Sequence, residues 1–130
     1  MPVLPDIAVK KARNDWMLNC QGCHQANGAG SQGGAPDMRG IVARLLAVDG
    51  GRAYLGQVPG VAYAPLDDQS LANLLNWLLQ EYDPENLSND FQPYTAQEIG
   101  SLRGMPLIEE APEIRAELIT MLQGASSTDN

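Results

Sequence analysis

Leu71, Leu74, Leu75, Leu78, Leu79 and Tyr82 stand at i, i+3, i+4, i+7, i+8 and i+11, a wide apolar face at helical period. This spacing predicts a helix over residues 68–82, with Asp67 or Asp68 as its cap. Upstream, Ala8, Ala12, Trp16 and Cys20 recur every four residues, with Lys10, Lys11 and Arg13 off the stripe. They predict a first helix over residues 7–19, opened by Asp6. Trp16 and Trp77 fall on the buried faces of these two helices, which should cross.

The remaining pattern is also helical. Residues 38–48 predict a helix ended by Gly50-Gly51, and residues 52–57 a short one stopped before Pro59-Gly60. Residues 61–65 read as irregular. Thr95-Ala96-Gln97-Glu98 is a capping-box sequence that opens a short helix to Arg103, ended by Gly104-Met105-Pro106. Pro112 suits the first turn of a last helix with Ile114, Leu118 and Leu122 along one face. Residues 25–36 form a Gly-rich loop and residues 83–94 a connecting loop with two prolines. The small polar residues 124–130 predict a disordered tail. With no strand pattern of any length, the expected fold class is all-α.

Composition sharpens this picture. The 130 residues suit one domain, and their apolar content is mostly Ala, Leu, Val and Ile with a single Phe. A large flat apolar cofactor would complete such a core. Residues 1–60 hold six basic and four acidic side chains, whereas residues 61–130 hold two basic against twelve acidic. No basic stripe exists to neutralise phosphates, which argues against nucleic acid. The acidic residues read first as solvated helix faces, and secondly as a surface that steers a basic partner. No apolar run approaches the ~20 residues of a membrane span. The N-terminus lacks a signal-peptide pattern, so an exported protein would be seen here in its mature form with an added start Met.

Both cysteines and the single histidine lie in Cys20-Gln21-Gly22-Cys23-His24. Two thiols at this spacing can add across the two vinyl groups of one haem edge, and the adjacent imidazole then supplies the proximal iron ligand. C-x-x-C-H accordingly reads as c-type haem attachment. A structural zinc site wants four N/S ligands, and the whole chain offers three. A thioredoxin-like pair expects a βαβ setting. A disulfide would leave His24 without a role.

Beyond the pentapeptide, the chain resembles the class I cytochrome c family over residues 6–82. The shared pattern is a helix leading into C-x-x-C-H, a Gly-rich loop, a Pro-containing segment (Pro36-Asp37-Met38) and a closing helix at residues 68–82. The resemblance implies one covalent haem c on Cys20 and Cys23, His24 as proximal ligand, and the Pro36 carbonyl accepting from that imidazole. It implies a haem core over residues 1–82, with residues 83–130 as a helical extension packed on it in the same domain. The family's distal Met stands just before the closing helix. Here that stretch, Pro59-Gly60-Val61-Ala62-Tyr63-Ala64-Pro65, holds no Met, His or Lys.

Of the five Met, Met1 is the start, Met17 is expected on the core side of the first helix, and Met121 as core filler. Met38 is then the first candidate for the sixth iron ligand and Met105 the alternative. Arg39, Arg44 and Arg52 are candidates for the haem propionates. Tyr54, Tyr63 and Tyr82 could donate to a propionate or a distal ligand. The implied function is single-electron transfer between redox partners, in a periplasmic or otherwise exported protein that is not an enzyme, with a basic docking patch on the partner. The alternative is a haem-based small-ligand binder or sensor with an open or labile distal site. A third reading makes the chain a subunit docked to a larger dehydrogenase.

Overall fold

The computed structural model describes residues 6–32 and 35–128, the last four by backbone alone. Expectations for residues 1–5, 33–34 and 129–130 lie outside the described residues. Among the described residues, seven helices follow in order: α1 (Asp6–Asn19), α2 (Gln21–His24), α3 (Gly51–Gln57), α4 (Pro59–Ala62), α5 (Asp68–Tyr82), α6 (Ala96–Arg103) and α7 (Ala111–Thr128). Short 3-10 turns cover Arg44–Ala47 and Pro84–Asn86. The described residues form no strand.

The periodic Leu face of α5 is the centre of the core, with Leu71, Leu74, Leu75, Leu78 and Leu79 all buried. α1 packs across it as expected, and the Trp16 and Trp77 ring centroids lie 6.1 Å apart. Asp67 caps α5 by accepting from the Ser70 N–H at 2.7 Å. A cap of this kind contributes about 1 kcal/mol. Leu87, Tyr94, Ile99, Leu118 and Leu122 belong to the same apolar cluster as Trp16, Leu45 and Tyr54, so residues 83–122 share the core that α1 and α5 build.

Several expectations are corrected. Residues 38–48 are not a continuous α-helix. Gly40 takes φ +70°, and the chain winds loosely into the 3-10 turn at Arg44–Ala47. This segment is tied down from α5's far end, where the buried Asp83 carboxylate accepts from Ala43 N–H at 2.9 Å and Asn86 Nδ2 at 2.7 Å. The stretch expected to be irregular at residues 61–65 begins inside α4, because Pro59 at its first turn has no N–H to leave unpaired. The capping box is half formed: Thr95 Oγ1 accepts from Glu98 N–H at 3.1 Å, but the Glu98 carboxylate turns to Arg52. α7 continues through Thr128, where a disordered tail was expected from residue 124. Met17 and Met121 are exposed, not core.

The segment between α4 and α5 is held by one side chain. Arg103, at the end of α6, donates to the carbonyls of Ala62, Ala64 and Leu66 at 3.2, 2.7 and 2.8 Å. It also donates to the Asp68 carboxylate at 3.0 Å. A guanidinium fork presents five donors at fixed angles, which suits a turn whose carbonyls have no helical partners.

Candidate cofactor site

α1 ends and α2 begins around Cys20, whose N–H still bonds Trp16 O at 2.9 Å. His24 N–H bonds Cys20 O at 3.0 Å. Cys20, Cys23 and His24 are therefore i, i+3 and i+4 on one helical turn, and such positions share a face. That face forms one wall of a cavity of about 540 Å³ lined by all three.

The loop after α2 returns to the imidazole. Gln25 ends the helix at φ +69°, and Gly30 N–H bonds His24 O at 2.8 Å. Gly28, at φ +79°, lies against Tyr82, and a Cβ there would meet the ring at 2.9 Å. The Tyr82 hydroxyl donates to Ala26 O at 2.9 Å, pinning the loop to α5. Gly28 O in turn accepts from Met38 N–H at 2.9 Å. The result places Pro36 O 3.2 Å from His24 Nδ1. With Nδ1–H donating there, Nε2 carries the free lone pair, the arrangement that orients an imidazole toward a metal. Burial pulls the His24 pKa below its ordinary value, and the bond to Pro36 only partly opposes this. The ring is therefore neutral at pH 7, which is the ligating form.

The two thiols differ. Burial pushes the Cys20 pKa up to about 11, with Asp15 and Cys23 adding repulsion, whereas Cys23 is exposed. A thiolate, not a thiol, is the nucleophile. In the folded chain with both thiols free, iodoacetamide at pH 8 should modify Cys23 at least ~10-fold faster than Cys20. Mass mapping of the labelled peptides checks this, and the gap should narrow as pH approaches the Cys20 value.

The other walls are mostly apolar. Val42, Leu45, Leu75 and Leu78 come from the core, and Tyr54, Leu55, Val58 and Val61 from α3, α4 and the residue that joins them. Ala111, Pro112 and Arg115 of α7 complete the lining. Of the residues singled out in the sequence, Cys20, Cys23, His24, Pro36, Met38 and Tyr54 line this cavity.

Arg44, Arg52 and Met105 do not line it. Arg52 is held by the Glu98 carboxylate at 2.6 and 2.7 Å and lies 4.2 Å from the Tyr94 ring centroid. Arg39 pairs with Asp37. Met105 and Tyr63 are exposed, at 61% and 62%. Sequence reasoning missed Arg115, the lining arginine, because its place depends on where α7 docks. It also gave Trp16 a packing role alone. Trp16 is 2% exposed and lines the cavity, yet its Nε1–H has no acceptor among the described residues.

This donor set fits a haem: two thiols and an oriented imidazole on one wall, apolar surface around them, and an unpaired buried N–H beside them.

No protein-family model matches the sequence. Cytochrome c-552 of Thermus thermophilus is 37% identical over 106 residues, covering 68% of this chain and 81% of the relative. A second cytochrome c-552, from a particular strain of the same organism, is also 37% identical over 106 residues, covering 68% of this chain and 72% of the relative. The helical fold, the C-x-x-C-H turn with its Pro36-bonded histidine, and these relatives agree, and the chain belongs to the class I monohaem c-type cytochromes.

Proposed function

We propose that the chain is an electron carrier holding one haem c through thioethers at Cys20 and Cys23, with His24 as proximal iron ligand. The observation that carries this reading is the single cavity wall presenting both thiols and an imidazole whose Nδ1 is bonded to Pro36 O at 3.2 Å. A haem supplies the one-electron couple. The protein's residues exclude water from it and fix the imidazole tautomer, and a bound haem would give the unpaired Trp16 Nε1–H an acceptor. Membership of the c-type cytochromes supports an exported location, since haem c is attached outside the cytoplasmic membrane in bacteria. No helix of the described residues is long and apolar enough to cross a membrane. Residues 83–130 are proposed to fold with the haem core as one domain, on the strength of the shared apolar cluster.

The partner is a redox protein with a basic docking patch. Glu109, Glu110, Glu113 and Glu117 are exposed, and they flank Ala111, Pro112 and Arg115, which line the cavity. These carboxylates adjoin the lining positions in sequence and support the reading of an acidic docking surface in the C-terminal half. Electron exchange with a basic redox protein should slow as salt rises. Screening shortens the reach of these charges from about 30 Å at 0.01 M to about 8 Å at 0.15 M. Stopped-flow rates across that range test this, and a rate independent of salt would remove the acidic docking surface. Absence of haem-stained protein on a denaturing gel would remove the covalent attachment.

A further inference from the structure

The cavity contains a donor that the electron-carrier reading does not use. Apart from Cys20, Cys23 and His24, four lining residues carry atoms able to bind iron: Asn19, Asp37, Met38 and Tyr54. Asn19 donates its amide to Asp15 O at 2.9 Å. Asp37 is exposed and its carboxylate is taken by Arg39 at 3.0 and 3.1 Å. Met38 follows Pro36 by two residues, and Pro36 O is fixed on His24 Nδ1. The Met38 N–H is fixed to Gly28 O, so Met38 is tethered to the wall that bears the imidazole. Met105 is outside the cavity and exposed.

Tyr54 differs from all of these. It is 7% exposed, lines the cavity, and its hydroxyl has no hydrogen-bond partner among the described residues. Burial pushes its phenol pKa up, and nearby Arg115 opposes this only in part. The phenol therefore stays protonated at neutral pH, which makes it a donor and a poor iron ligand. Around it, Leu55, Val58, Pro59, Gly60 and Val61 offer no competing side-chain heteroatom.

We propose that the cavity face walled by α3 and α4 is a binding site for a diatomic gas, carbon monoxide or nitric oxide, at the iron's second axial position, with the Tyr54 hydroxyl as its hydrogen-bond donor. The inference rests on haem attachment at Cys20, Cys23 and His24. Met105 lies outside the cavity, and Met38 is the sulfur donor that the test below must set aside. The apolar side chains of α3 and α4 suit an uncharged diatomic, with Arg115 of α7 the charged group near Tyr54.

The test is the absorption spectrum of the reduced holoprotein before and after carbon monoxide, with infrared detection of the bound C–O stretch. The expected result is a prompt and complete Soret shift in wild type, Met38→Leu and Met105→Leu alike. Tyr54→Phe should keep the shift, raise the C–O stretching frequency and speed gas dissociation about three- to tenfold, the loss of one hydrogen bond. No shift in wild type overturns the inference, as does a shift that appears only after Met38 or Met105 is replaced. An unchanged stretch in Tyr54→Phe overturns the role of Tyr54. If a denaturing gel shows no covalent haem, the attachment reading fails and this one with it. Covalent haem with a silent carbon monoxide spectrum defeats this inference alone.

Discussion

Cells making the Cys20→Ser/Cys23→Ser double variant should yield no protein that retains haem on a denaturing gel, a complete loss against wild type. Each thioether forms from one thiol, and the chain has no third cysteine to substitute. His24 remains on its turn with Nδ1 on Pro36 O, so a noncovalent haem could still be held by one axial bond and the apolar walls. That contact survives native gels and fails under denaturant, which is why the denaturing gel is the decisive measurement. The single variants should each keep one thioether and stay haem-positive, with a red-shifted reduced band from the one unreacted vinyl group. Haem on the double variant after denaturation would show that attachment does not use these thiols.

Arg103→Met should lower unfolding stability by about 2–3 kcal/mol, mainly from carbonyls left without their donor, since the half-exposed Asp68 carboxylate adds little. The Arg103 side chain is 17% exposed and satisfies three carbonyls and the Asp68 carboxylate. Methionine keeps the bulk and deletes every donor, leaving Ala62, Ala64 and Leu66 carbonyls to find new partners. Arg103→Lys should recover little, since one ammonium cannot span acceptors that a planar fork reaches together. Urea unfolding checks both variants, through a lowered midpoint at an unchanged slope. A loss under ~1 kcal/mol would mean that water replaces the guanidinium without penalty. Because the clamped turn continues from α4, the same variant should also loosen the cavity wall at Val58 and Val61.

The parts legible in the sequence were those governed by neighbours in the chain. α5 announced itself through its Leu period, and α1 through Ala12, Trp16 and their spacing. The C-x-x-C-H turn was legible because its chemistry depends on positions three and four apart. What escaped was set by distant segments. Arg52 looked available until Glu98, 46 residues on, engaged it. Residues 38–48 had helical composition, but Gly40 in the left-handed region and the Asp83 carboxylate impose another path. Arg115 joined the cavity only through the docking of α7, and the unpaired Trp16 N–H was invisible to any pattern of apolar positions. Met17 and Met121 are apolar by type, but their helix register turns them to solvent.

The order in which the cavity's walls occur along the chain has a consequence for biogenesis. Cys20, Cys23 and His24 precede every residue of the α3, α4, α5 and α7 walls, the last of them Arg115. Domains emerge N-terminus first. During synthesis the turn at residues 20–24 therefore appears while its enclosure does not yet exist. Cys20, whose thiol is suppressed by burial in the finished fold, is then an ordinary solvated thiol. On the proposed reading, thioether formation at both thiols is easiest at that stage, before α7 encloses the cavity.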